Sequence, residues 1–80
     1  MSRLGVTYDV ISPFAGTVER IRFRKGDKVE EGEVFFSLVQ DGLSFDILSP
    51  VTGYADSLEV ERGDRVIAGM ILATIRQTGD

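Results

Sequence analysis

Residues 11–38, ISPFAGTVERIRFRKGDKVEEGEVFFSL, contain a pattern that returns in residues 48–75, LSPVTGYADSLEVERGDRVIAGMILATI. A shift of 37 positions superimposes the two Ser-Pro pairs, the two Gly-Asp pairs and the glycines that follow each of them. Glycine and proline restrict or release the backbone at defined points, so their recurrence indicates that backbone geometry repeats as well as composition. The sequence therefore predicts two structurally equivalent halves.

Each repeat unit has the outline of several short strands separated by turns. Proline ends a strand because it cannot donate to a sheet ladder, and we expect Gly16 and Gly53 to turn the chain after it. The Gly-Asp pair predicts a tight turn, followed by a very short strand around one valine and a last apolar strand. No stretch shows the apolar spacing of a helix. Short strands with glycine turns predict an all-β sandwich or barrel.

A hairpin joins the two units. The apolar run Val34–Phe36 leads into it, and residues 43–47 leave it with alternating apolar and polar side chains. Asp41-Gly42 is typical of a two-residue I′ turn, in which both central residues have positive φ. We also expect an opening strand over residues 4–12, and a polar tail at residues 77–80 that frays.

Composition excludes several classes of function. Eighty residues without cysteine or histidine predict one domain, residues 1–80, that lacks the usual zinc sites and nucleophilic triads. The net charge of −4 argues against nucleic-acid binding, and no apolar run is long enough to span a membrane. The first residues lack the apolar region of a secretion signal. We expect a soluble, cytoplasmic protein that is not an enzyme.

In its motifs the chain resembles the biotinyl/lipoyl carrier domain family, from about Val10 to Ile75. The resemblance depends on the Ser-Pro-x-x-Gly and Gly-Asp-x-Val-x-x-Gly motifs of both units and on the hairpin between them. It implies a flattened eight-stranded barrel-sandwich hybrid, made of two four-stranded sheets related by a quasi-twofold axis. Members of the family carry biotin or lipoate on a lysine at the hairpin tip.

The same resemblance implies that position 42 should hold the acceptor lysine. In the family this lysine lies ten residues after the last glycine of the first unit and eight before the proline of the second, and both counts give Gly42 here. Asp41 matches the aspartate that precedes the lysine in lipoyl domains, whereas Leu43 replaces the methionine that follows it in biotinyl domains. Because attachment needs a primary amine, we expect neither cofactor. The only lysines, Lys25 and Lys28, are placed by the resemblance in the first Gly-Asp turn, away from the tip.

A run of positive charge is the candidate docking surface. Arg20, Arg22 and Arg24 alternate with apolar residues, which predicts one exposed strand face, and Lys25 extends it. The matching face of the second unit carries Ser57, Glu59 and Glu61. The basic face could bind an acidic partner or the acidic face of another copy, forming a weak homo-oligomer. Alternatively, both are solvated faces whose charges keep strand edges from pairing.

Other candidate side chains have simpler interpretations. Asp27 and Asp64 are expected to accept hydrogen bonds from nearby backbone N–H groups in their turns. The acidic cluster of Glu30, Glu31 and Glu33 could bind a cation weakly, but it lacks a calcium-loop pattern and is better interpreted as a solvated loop. The hairpin phenylalanines, Phe35, Phe36 and Phe45, are expected in the core.

The predicted function is a protein–protein interaction or structural module with the carrier fold, linked to a carboxylase-like or 2-oxoacid-dehydrogenase-like system. One alternative is a swinging-arm carrier domain whose acceptor lysine at position 42 has been replaced. Another is the barrel-sandwich part of a larger adaptor assembly. Such adaptors usually insert long helices at the central hairpin, where this chain has only a short turn.

Overall fold

The protein, described for residues 5–78 by a computed structural model, consists of short antiparallel strands without helix in that range. The strands are β1 Gly5–Ile11, β2 Gly16–Ile21, β3 Lys28–Val29, β4 Val34–Gln40, β5 Leu43–Leu48, β6 Gly53–Leu58, β7 Arg65–Val66 and β8 Ile71–Thr78. Residues 5–78 therefore contain no helix that could span a membrane. The opening strand agrees with the expectation within one residue at each end, and Leu4 lies outside the described residues. Gln77 and Thr78 continue β8, so the expected fraying is wrong for them, while residues 79 and 80 lie outside the described range.

The strands form two four-stranded sheets, and each sheet takes strands from both repeat units. One sheet has the order β1-β8-β6-β3 and the other β5-β4-β2-β7. Exchanging β1 with β5, β2 with β6, β3 with β7 and β4 with β8 converts one order into the other, which is the predicted quasi-twofold relation. Within residues 5–78 all pairing stays inside a sheet, so the molecule is a sandwich rather than a closed barrel.

Backbone hydrogen bonds outside the ladders follow the same symmetry. The fourteen such bonds among the described residues fall into seven pairs related by 37 positions. For example, the Ser12 N–H donates to the Met70 carbonyl at 2.9 Å, and the Ser49 N–H donates to the Glu33 carbonyl at 2.8 Å. The repeated sequence therefore encodes repeated turn geometry, as its glycines and prolines predicted.

The core lies between the two sheets. Its buried residues, except Val60, also form pairs 37 positions apart: Val10, Val18, Val29, Phe35, Phe36, Leu38, Ile47, Ala55, Val60, Val66, Leu72, Ala73 and Ile75. Phe35 and Phe36 are in the core as expected, with their rings stacked at 4.7 Å. Phe45 is not, because it lies on edge strand β5 with 37% of its surface exposed. Its ring packs edge-on against Phe14 at 5.0 Å.

Gly16 and Gly53 do not turn the chain as predicted. Each is the first residue of a strand, and neither has positive φ. A Cβ on Gly53 would lie 2.5 Å from the Arg76 carbonyl oxygen, and one on Gly16 would lie 2.9 Å from the Val39 carbonyl oxygen. These glycines are therefore required by close approach of a neighbouring strand, which local sequence does not reveal.

Candidate functional site

The hairpin tip is a two-residue turn between β4 and β5. Gln40 pairs with Leu43 across it, and the two turn residues, Asp41 and Gly42, have φ values of 51° and 77°. Positive φ at both positions confirms the predicted I′-type geometry. A Cβ on Gly42 would meet no atom within 4 Å. Backbone conformation, rather than crowding, is therefore what favours glycine at this position.

A shallow groove of about 320 Å³ lies beside the tip. It is lined by the start of β2, the end of β4, Asp41 and Arg65. Arg65 reaches this place because Thr17 pairs with Val39 on one side and with Arg65 on the other. Arg65 is not predictable from the sequence of either unit alone, because the pairing of β7 with β2 joins the two units. The tip thus offers one cation and one carboxylate beside an open groove.

The two lysines lie on the other sheet, away from the tip. Lys28 pairs with Tyr54 of β6. Lys25 precedes Gly26, whose N–H donates to the Ala55 carbonyl of β6 at 2.7 Å. The hairpin, in contrast, extends from the sheet that contains β4 and β5. The turn that contains Lys25 and the strand that contains Lys28 are therefore both anchored to a different sheet from the tip.

The basic residues Arg20, Arg22, Arg24 and Lys25 are all exposed, and the three arginines alternate with the half-buried Ile21 and Phe23. Strand β2 ends at Ile21, and its register shifts between Val18 and Arg20. Arg22 and Arg24 therefore lie on the connection that crosses from one sheet to the other. None of the four makes an ion pair with another residue of the described part. The predicted alternation of exposed and half-buried side chains is confirmed, but the strand that was expected to carry it ends before Arg22. Docking through these cations stays a prediction.

The matching residues of the second unit do not lie on one strand either. Ser57 is half-buried, and its hydroxyl shares a 2.7 Å hydrogen bond with that of Thr74. Glu59 and Glu61 are exposed, and the turn after Glu61 packs on β2, where the Gly63 N–H donates to the Val18 carbonyl at 2.8 Å. The turn that follows Glu61 therefore lies beside β2, the strand that carries Arg20.

The acidic residues of the turns have structural roles. The Asp27 carboxylate accepts a hydrogen bond from the Arg24 N–H at 2.9 Å, and that of Asp64 accepts one from the Glu61 N–H at 2.8 Å. Both bonds confirm the predicted turn chemistry. In the acidic cluster, Glu33 accepts a bond from the Glu30 N–H at 2.7 Å. Within residues 5–78 no group of three potential ligands is arranged to hold a metal ion.

Comparison with known proteins identifies the family. The model of the biotin/lipoyl family, described as "Biotin-requiring enzyme", matches residues 8–75. No curated protein matches the chain at a significant level.

Solved structures show the same fold. Similar structures include the Kluyveromyces lactis urea carboxylase, 21% identical with a TM-score of 0.81 over 88% of this chain and 6% of that protein. A single-chain, multi-domain long-chain acyl-CoA carboxylase is 19% identical, with a TM-score of 0.83 over 92% of this chain and 7% of the carboxylase. The chain thus spans only a small part of either carboxylase. It covers 98% of the lipoyl domain of the Azotobacter vinelandii 2-oxoglutarate dehydrogenase complex, and 94% of this chain aligns at 19% identity and a TM-score of 0.70. With the family match over most of its length, this chain belongs to the biotin/lipoyl domain family.

Proposed function

We propose that this domain keeps the carrier fold without the carrier chemistry and acts as a non-enzymatic protein-interaction module. The observation that carries the proposal is the residue at the hairpin tip. Gly42 occupies the turn position with φ of 77° and offers no side-chain amine. Biotin and lipoate are attached through an amide, which needs a primary amine presented at the tip. The family domain serves enzyme complexes without catalysing a reaction itself, which supports a non-enzymatic role here.

The positions of the two lysines support the proposal further. Modification of either would require a ligase to accept an amine from the Gly-Asp turn or from β3, both of which pack on β6. Lys28 also lies 3.9 Å from the Glu30 carboxylate. Neither position presents an amine at the end of a two-residue hairpin.

Intact mass after coexpression with a biotin ligase and a lipoate ligase, with both cofactors supplied, tests the proposal. We expect the unmodified mass. Gly42→Lys is the matched control, because a Cβ at this position meets open space and the new side chain is limited only by its positive φ. Modification of the control would show that the ligases were active and recognise this fold.

A mass increase of the unsubstituted chain by either cofactor would contradict the proposal. Lys25→Arg and Lys28→Arg would then identify the modified lysine. If neither ligase modified the Gly42→Lys control, the domain would have lost recognition by the ligases as well as the amine. That result would agree with an interaction module, and it would argue against a carrier whose only defect is position 42.

The partner class proposed is a carboxylase-like or 2-oxoacid-dehydrogenase-like assembly, in keeping with the proteins of similar fold. The cations Arg20, Arg22, Arg24 and Lys25, which make no ion pair within residues 5–78, supply the electrostatic part of docking to an acidic surface. Binding of purified subunits of such complexes should weaken in Arg22→Glu/Arg24→Glu and with rising salt. Glu59→Gln/Glu61→Gln is the matched control on the equivalent connection of the second unit, and equal effects of both pairs would contradict docking through the basic residues.

A further inference from the structure

The two repeat units differ sharply at one pair of equivalent places. At the place that includes the turn of the second unit, four exposed apolar residues form what we call the apolar patch: Ile11, Ile67, Met70 and Ile71, which are 49%, 67%, 38% and 41% exposed. Their twofold equivalents, at the place that includes the turn of the first unit, are Leu48, Glu30, Glu33 and Val34. The backbone is the same at both places, because Ile11 pairs with Ile71 as Leu48 pairs with Val34. The fold therefore does not require apolar side chains at positions 67 and 70, where the equivalent residues are Glu30 and Glu33.

The second unit lacks two interactions that the first unit makes at this place. The Glu33 carboxylate accepts a hydrogen bond from the Glu30 N–H at 2.7 Å, whereas Met70 has no carboxylate to offer Ile67. Lys28 lies 3.9 Å from Glu30, whereas its equivalent Arg65 has Ile67 in place of that glutamate. With isoleucine at position 67 and methionine at position 70, the second turn therefore has neither this hydrogen bond nor this ion pair. Burial against another molecule would offset that loss.

The apolar patch lies at the hairpin end of the molecule. Val66, next to Ile67, pairs with Gly16, which lines the groove beside the tip. The twofold equivalents of the patch, which include Glu30 and Glu33, lie at the far end of the molecule. Val34 begins β4 and Leu48 ends β5, and these are the strand ends opposite the hairpin turn. Arg65 and Asp41 both line the groove, and within the described residues they form no ion pair with each other. The hairpin end therefore combines apolar surface with a cation and a carboxylate that are not paired with each other.

That combination is complementary to itself. A twofold axis through the hairpin end would bring two apolar patches together and set the cation of one copy against the carboxylate of the other. It would also hold the acidic clusters of the two copies at opposite ends of the dimer, which limits repulsion between chains of net charge −4. We propose that two copies of this chain associate through the apolar patch at the hairpin end, with Arg65 of each copy facing Asp41 of the other.

Sedimentation equilibrium of the full chain, from about 10 μM to about 1 mM, tests this association in the range expected of a small interface. We expect a reversible monomer–dimer equilibrium. Ile67→Glu/Met70→Glu should raise the dissociation constant by about 100-fold or more, because it places charges in an apolar contact that each dimer contains twice. This variant places the glutamates of the first unit's turn in the second, so the thermal midpoint of unfolding should be unchanged or raised. A weaker dimer with an unchanged midpoint would then reflect lost association and not lost folding.

Leu48→Glu is the matched control, because Leu48 is 52% exposed and is the twofold equivalent of Ile11 at the far end. Its dissociation constant should equal that of the unsubstituted chain. Asp41→Asn and Arg65→Gln should each weaken the dimer, and together they should weaken it no more than either alone, since they remove the same pair.

A monomer at every concentration would overturn the proposal. So would a dimer that Ile67→Glu/Met70→Glu leaves intact, or one that Leu48→Glu weakens equally. The result does not depend on whether a ligase modifies the domain.

Discussion

Gly53→Ala tests whether the strand-starting glycines are required by close backbone approach. The alanine Cβ would lie 2.5 Å from the Arg76 carbonyl oxygen and 2.8 Å from Cγ2 of Ile75. Both distances are far below a van der Waals contact, and the nearest atom belongs to the backbone of β8, which pairs with β6 on one side and β1 on the other. The methyl group can therefore be accommodated only by moving strands apart.

The expected cost follows from these contacts. Overpacking a filled site costs about 1–3 kcal/mol, and a clash with backbone belongs at the upper end. Replacing glycine returns up to about 1 kcal/mol by restricting the unfolded chain. We therefore expect a net loss of about 2 kcal/mol or more, from a total of about 4–12 kcal/mol for a domain of this size. This corresponds to a fall in the thermal midpoint of at least about 8 °C.

Thermal and urea unfolding followed by far-ultraviolet circular dichroism measure the effect, with two glycines as internal standards. Gly16→Ala, the twofold equivalent, should lose only about 1 kcal/mol, because its Cβ would lie 2.9 Å from the Val39 carbonyl oxygen. Gly5→Ala should change stability by less than about 0.5 kcal/mol, because its Cβ would be crowded only by the flexible Arg76 side chain, at 2.9 Å, while the nearest backbone atom is 3.9 Å away. Equal stabilities of the three variants would refute close approach as the reason for glycine at position 53.

Two further predictions concern the turns. Gly42→Lys should lose about 1 kcal/mol in urea unfolding, because lysine must adopt φ near 77° in otherwise open space; a loss above about 3 kcal/mol would mean that the tip has a packing role. Asp27→Ala and Asp64→Ala should each lose about 1 kcal/mol, and together about 2 kcal/mol, because each removes one bond to a backbone N–H in a separate turn. Strong non-additivity of this pair would show that the two turns are energetically coupled.

Much of the fold could be predicted from the repeated glycines, prolines and valines, because these residues fix turns and very short strands locally. The pairing of strands that are distant in sequence could not be predicted in this way. The register shift between Val18 and Arg20, and the end of β2 at Ile21, depend on how β2 meets β4. For that reason the alternating arginines were predicted on one strand, although only Arg20 lies on β2 and Arg22 and Arg24 follow it. Arg65 was missed for a similar reason, since its place beside the tip depends on a pairing between units.

The internal symmetry also separates what the fold requires from what it leaves free. The Arg22 N–H donates to the Phe35 carbonyl at 2.9 Å, and its equivalent, the Glu59 N–H, donates to the Leu72 carbonyl at 2.8 Å. The backbone role is the same while the side-chain charge is opposite, so the fold does not determine that charge. The same reasoning applies to Glu33 and Met70. Side chains that differ at equivalent backbone positions are therefore where the function of this domain should be sought, and both the basic connection and the apolar patch meet that criterion.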